Sequence, residues 1–336
     1  MLRRDLIAFG AAALAAPLLP RDARATPPGY RVTYFDAKAP GRSGRVGSRD
    51  VTAAGDGTFW FCGQRDGTLG RLEPRDVSIR VVELARDGAR AAPHGVIRGP
   101  DGAAWVTEGG QNALARVDPR DHRVQLWTLP ERFANGNLNT AVFDDRGTLW
   151  FTGQNGIYGR FFPARERMEV WEAPRGRGPY GITRTPQGTV WYVSLAGNHL
   201  AQIADLETGQ VRIVEPPTPN QGARRVWSDS QGRLWISEWN SGQVSMHDPR
   251  DGAWKAWKLP GERPRAYSVW VDPSDKVWLT DFPGNAIVRF DPATESFLAF
   301  PSDRPGANVR HMDGVAGQAW GGESGTDRIV RIEYGL

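Results

Sequence analysis

The chain has 336 residues, a formal net charge of +4, 24% charged and 40% hydrophobic residues, and a single cysteine. One cysteine excludes an internal disulfide, so burial and sheet hydrogen bonds must hold the fold, and Cys62 is expected as a small buried apolar residue. No Lys/Arg run is long enough to follow a phosphate backbone, and the aromatics stand at regular intervals away from basic clusters, which argues against nucleic acid as a partner.

In chain order, the N-terminus comes first. Arg3-Arg4 precede an apolar run from Ala8 to Leu19, and Ala23-Arg24-Ala25 forms a small-x-small cleavage pattern before Thr26, so residues 1–25 read as an export signal. The paired arginines resemble a twin-arginine signal, with the charged start of an ordinary Sec signal as the alternative. The run is too short for a permanent span, and no later stretch offers about twenty uncharged residues, so no membrane span is expected. Residues 26–336 should reach the periplasm or be secreted, with the net charge reduced from +4 to +2 by loss of four Arg and two Asp.

After a strand-like segment, Tyr30-Arg-Val-Thr-Tyr-Phe35, the sequence becomes periodic. Trp60, Trp105, Trp150, Trp191, Trp235, Trp278 and Trp320 recur at spacings of 45, 45, 41, 44, 43 and 42 residues, each inside a β-rich phrase. A period in the low forties with four short strands per unit is what a propeller blade needs, and no 3.6-residue apolar rhythm competes with it. The second unit reads plainly: Gly95–Arg98, a turn at Pro100-Asp101-Gly102, Ala104–Thr107, Asn112–Pro119 and Arg123–Pro130. Turn glycines recur at Gly57, Gly102, Gly147, Gly188 and Gly232. The tryptophans are expected to pack between adjacent sheets.

The seventh unit, from Val309 to Leu336, has room for only three strands. Pairing the N-terminal strand with it closes the ring and removes an unmatched edge. The expected fold is therefore all-β: one seven-bladed β-propeller over residues 26–336, closed by the N-terminal strand in the last blade and expected as a monomer.

The inner strand of each blade lines the channel, so the residues at its start are the candidates for function. Eleven residues before each tryptophan stand Arg49, His94, Asn139, Tyr180, Arg224 and Tyr267; with a turn two residues shorter in the last blade, the matching position is His311. Three residues after each tryptophan stand Gly63, Glu108, Gly153, Ser194, Glu238, Asp281 and Glu323. Counting about the hairpin turns makes His94/Glu108, Arg224/Glu238, Tyr267/Asp281 and His311/Glu323 cross-strand neighbours, a ring of polar groups suited to a small-molecule ligand. A set of solvated ion pairs in a water-filled channel is the alternative.

Pro93-His-Gly-Val, Gly99-Pro-Asp-Gly-Ala-Ala-Trp-Val-Thr-Glu108 and Asn285-Ala-Ile-Val-Arg-Phe-Asp-Pro292 resemble the repeats of the virginiamycin B lyase family, along all seven blades. The resemblance implies a streptogramin B-type lyase reaction: a His in the last blade removes the proton α to an ester carbonyl of a cyclic depsipeptide, while Mg2+ polarises that carbonyl. Carried over, His311 is the base and Glu323 a magnesium ligand. The chain departs from the pattern at Val309, where a second carboxylate is expected, and at Tyr267, where a second catalytic His is expected; Asp281 on the adjacent blade is the substitute ligand. His94 and Glu108 repeat the spacing in blade two, with Ala92 and Arg49 in the accessory places. Two other readings stand beside the lyase: a non-catalytic periplasmic propeller that binds a ligand or protein, and a metal-dependent lactonase.

Overall fold

The computed structural model describes residues 26–336, and the expected export signal at 1–25 lies outside them. Among the described residues seven antiparallel four-stranded sheets follow one another, with two short 3-10 turns, Glu131–Phe133 and Pro163–Arg165. Inner strands run Ser48–Ala53, Pro93–Arg98, Leu138–Phe143, Pro179–Arg184, Ala223–Ser228, Ala266–Val271 and Val309–Val315. Each packs against the next and the last packs against the first, so the ring is closed. The final blade is completed by Tyr30–Asp36, which pairs antiparallel with Arg328–Tyr334 from Tyr30↔Tyr334 to Asp36↔Arg328.

The seven repeat tryptophans lie on the second strand of each blade and are fully buried. Most have a tethered indole. Trp150, Trp235 and Trp278 each donate at 2.9 Å to an aspartate six residues earlier, Asp144, Asp229 and Asp272. The same carboxylates accept backbone N–H groups across the inner turn, so one side chain shapes the turn and fixes the ring. Cys62 is buried in the apolar layer between the first two blades, and burial pushes its thiol pKa up, as a structural cysteine requires.

Every inner strand carries a β-bulge near its start. In blade six Ala266 pairs with Asp281 and Val269 with Leu279, so Tyr267 and Ser268 together oppose Thr280. The extra residue bends the strand and turns side chains into the channel. In blades two, three and five a hydroxyl two residues after the tryptophan holds the bulge and ties neighbouring blades together. Thr107 accepts from Gly95 N–H at 2.8 Å and donates to the Asn139 carbonyl of the next blade at 2.6 Å. Ser237 accepts from Arg225 N–H at 3.0 Å and donates to the Tyr267 carbonyl at 2.7 Å. Thr152 donates to the Tyr180 carbonyl in the same way. In blade seven the position is Gly322, where any Cβ would collide with the Arg49 carbonyl.

Thr107→Val keeps the shape of the side chain but leaves a buried N–H and a buried carbonyl unpartnered. We expect a loss of about 1–3 kcal/mol in unfolding free energy by denaturant titration; an unchanged midpoint would show that the hydroxyl clamp contributes nothing.

Candidate functional site

The bulges create two tiers of side chains at one end of the channel. The upper tier is Arg49, His94, Asn139, Tyr180, Arg224, Tyr267 and Arg310; one residue further on, the lower tier includes Asp50, Thr140, Arg225, Ser268 and His311. The register in blade seven corrects the alignment drawn from sequence. Val309 pairs with Glu323 and Met312 with Gly321, so the partner of Tyr267 in the ring is Arg310, and His311 belongs one tier lower. The last turn is one residue shorter than the others, not two, and allowing for that would have put Arg310 in the column.

The upper tier is a continuous network centred on Tyr267. Its hydroxyl lies 2.5 Å from that of Tyr180 and accepts from Arg49 and Arg310, each at 3.3 Å. Arg224 stacks its guanidinium 4.5 Å from the ring centres of both Tyr267 and Trp239, and donates to Tyr180 at 3.4 Å. Arg310 lies 5.3 Å above the Tyr267 ring and 5.4 Å from Phe282, which is itself stacked on Tyr267 at 4.7 Å. His94 bridges Arg49 and Asn139 through Nε2. Burial pushes the Tyr267 phenol up, but the guanidiniums of Arg49, Arg224, Arg310 and Arg225 together outweigh it and hold the pKa down to about 7. Tyr180 moves the opposite way, raised by burial and by the neighbouring Tyr267.

The lower tier spans the channel. Arg225 of blade five donates to both carboxylate oxygens of Asp50 in blade one at 2.9 Å and to Thr140 at 2.7 Å. His311 is only 6% exposed; its Nδ1 accepts from Val51 N–H at 3.4 Å, while Nε2 lies 4.0 Å from Asp50. That pattern places the ring proton on Nε2 and leaves no free lone pair facing the mouth. Burial holds the His311 pKa down to about 4, so the ring is neutral at pH 7. Burial, with Arg49 next in weight, also keeps His94 well below the ordinary histidine range.

The carboxylates expected beside these residues are turned away from them. Because each bulge advances the mouth residue by one position, Glu108, Glu238, Asp281 and Glu323 pair with Pro93, Ala223, Ala266 and Val309. Their oxygens bind the turns leading to the third strands and the segments that enter the inner strands. Glu108 accepts from Gln111 N–H at 2.6 Å, Glu238 from Gln221, Ser241 and Gln243, and Asp281 from Arg265 N–H at 2.8 Å. Asp281 and Glu323 do border the same narrow cleft between blades six and seven. Glu323, however, is paired with Arg328 at 2.7 Å and accepts from Ser302 and Thr326. Among the described residues no three His, Cys, Asp or Glu side chains are grouped to hold a metal ion. Guanidiniums occupy the mouth, so these residues do not fit the Mg2+ site that the resemblance implies.

Comparison with known proteins agrees with this architecture. The virginiamycin B lyase from Staphylococcus aureus superposes with a TM-score of 0.81 over 90% of this chain and 99% of that one, at 18% identity. A streptogramin B lyase structure gives 0.80 over 91% and 98%, at 19% identity. The extracellular domain of a one component system from B. thetaiotaomicron gives 0.72 at 13% identity, over 89% of this chain and 42% of that one. At these identities the likeness to solved structures concerns the fold. No curated protein matches the sequence. The virginiamycin B lyase family model matches residues 32–279, most of the chain, and the chain belongs to the virginiamycin B lyase family.

Proposed function

We propose that the chain is a carbon–oxygen lyase acting on a small ester or lactone at the channel mouth, with Tyr267 as the general base. The observation that carries this reading is the convergence of Arg49, Arg224 and Arg310 on one tyrosine, which holds its phenol pKa down to about 7. The Tyr267 phenolate takes a proton from the alkoxy side of the ester, from a Cα that bears its own carbonyl group and adjoins the Cβ carrying the ester oxygen. The electron pair of that C–H bond becomes a Cα=Cβ double bond, the Cβ–O bond breaks, and its pair leaves on the departing carboxylate. No water is consumed, so a cyclic substrate opens at constant mass. The guanidiniums of the mouth stabilise the negative charge that builds on the carbonyl oxygen, the part a Lewis-acidic ion would otherwise play. Asp50–Arg225 and His311 form the floor below.

A second reading is a non-catalytic propeller binding a small molecule at the same mouth. It is favoured by the cover on Tyr267, which is 1% exposed beneath the half-buried Arg224, Arg310, Trp239 and Phe282. The chemistry separates the two.

Residues 26–336 incubated with a streptogramin B should give a ring-opened product of unchanged mass, with or without chelator. Tyr267→Phe should lower turnover by about 100-fold or more. Turnover that survives in Tyr267→Phe but is lost in His311→Asn would return the base to His311; an added water would point to hydrolysis, and an unaltered substrate would favour binding.

A second expectation concerns pH. The folded pKa of Tyr267, about 7, lies below the unfolded value of about 10. Between those values the unfolded chain binds more protons, so this group's stabilisation is complete above about pH 10 and fades as pH falls through about 7. Thermal unfolding of wild type and Tyr267→Phe should therefore differ more at about pH 9 than at about pH 6. A constant difference would rule out phenolate formation.

A further inference from the structure

We propose that the ligand taken by this mouth carries a carboxylate, seated between Arg224 and Arg310, on an apolar or aromatic body that lies against Trp239 and Phe282. The inference rests on the reading that the mouth is the ligand site. Its first ground is an imbalance of charge: four guanidiniums, those of Arg49, Arg224, Arg225 and Arg310, surround Tyr267, and one carboxylate, Asp50, joins them. Arg225 engages both oxygens of that carboxylate. Among the described residues neither Arg224 nor Arg310 has a carboxylate within salt-bridge distance, unlike the outer-blade Arg71, Arg116, Arg160 and Arg233. A cationic cluster so far out of water is costly unless an anion joins it.

The second ground is unused hydrogen-bonding capacity. The Nε atoms of Arg49 and Arg224 are buried without an acceptor, and so is Nδ1 of His94. Planar guanidinium forks match a carboxylate, and they do so best when stacked on aromatic rings that fix their orientation, as Trp239, Tyr267 and Phe282 do here. The same rings give the rest of the ligand an apolar surface, which an inorganic anion would not use.

Two negative charges cannot share this cluster freely, so ligand binding and Tyr267 ionisation oppose each other. The groups that face Tyr267 from neighbouring inner strands are Arg49 and Asp50, His94, Tyr180, Arg224 and Arg225, and Arg310 with His311. Burial keeps both histidines neutral near pH 7, and Tyr180 is raised. Asp313, pushed up to about 6 by burial, hydrogen-bonds Thr52 at 2.7 Å further along the same strand and is the other group titrating near neutrality. A bound carboxylate therefore draws a proton onto Tyr267, and binding weakens as pH rises from about 6 to about 8. The phenolate that remains is a stronger base for its neighbour's charge, which suits it to proton abstraction.

The test uses residues 26–336 with benzoate as the probe and inorganic phosphate for comparison. At about pH 8 benzoate should reduce the tyrosinate absorbance of wild type, and calorimetry in buffers of different ionisation heat should show proton uptake of up to about one per site. Arg224→Gln and Arg310→Gln should each weaken benzoate binding by about tenfold or more. Tyr267→Phe should still bind benzoate without the proton uptake, which separates Tyr267 from Asp313. Absence of benzoate binding, binding of phosphate alone, or affinity unchanged in both arginine variants would overturn the proposal. Binding is read without turnover, so benzoate binding in a protein that opens no ester would reject catalysis alone. Turnover of a neutral ester without benzoate binding would reject the carboxylate alone.

Discussion

The hydroxyl that clamps the bulge in blades two, three and five is the contact on which three of the mouth's side chains depend. Thr107, Thr152 and Ser237 receive a backbone N–H from their own inner strand and give a hydrogen bond to the carbonyl of Asn139, Tyr180 or Tyr267 in the next blade. The residue whose carbonyl is held in each case is the one whose side chain enters the channel. A buried backbone group left unpaired costs more than a made hydrogen bond returns, so the clamp specifies the bulge as well as stabilising it. The positions of Asn139, Tyr180 and Tyr267 in the ring are thereby set by the second strand of the preceding blade.

What that network does follows from its charges. With the Asp50–Arg225 pair closing the floor, the remaining arginines have Tyr267 as their common neighbour, and its phenolate is the anion most readily available to them. The turn carboxylates, which would have neutralised the mouth had they faced it, are consumed in shaping the blade edges. In the proposed lyase, guanidiniums and a phenol stand where the resemblance implies a metal, carboxylates and histidine.

Much of the architecture was legible in the sequence because it repeats. Seven tryptophans at near-constant spacing, turn glycines, and an orphan strand beside a three-strand last unit determine blade number and closure, and Tyr30–Asp36 pairs where that reasoning puts it. Six of the seven mouth residues came from the same counting. The seventh did not, because a hairpin one residue short can be aligned two ways, and His311 is a more conspicuous candidate than Arg310. Nor does spacing reveal a bulge: equal counting about a turn assumes an unbroken ladder, so Glu108 and Glu323 were placed opposite His94 and His311 when they pair with Pro93 and Val309. In blades two, three, five and six the Thr or Ser two residues after the tryptophan was the available signal. Asp50 and Arg225 were hidden by sequence distance, meeting only because blades one and five face each other across the channel.

The central claim is that Tyr267 ionises near neutral pH inside a ring of arginines. Carbon-13 labelling of the tyrosine ζ position, with Tyr267→Phe to assign the signal, measures this directly by NMR titration. The account predicts a Tyr267 midpoint near 7 that moves upward in Arg224→Gln and Arg310→Gln. A midpoint at about 10, indifferent to both substitutions, would contradict it.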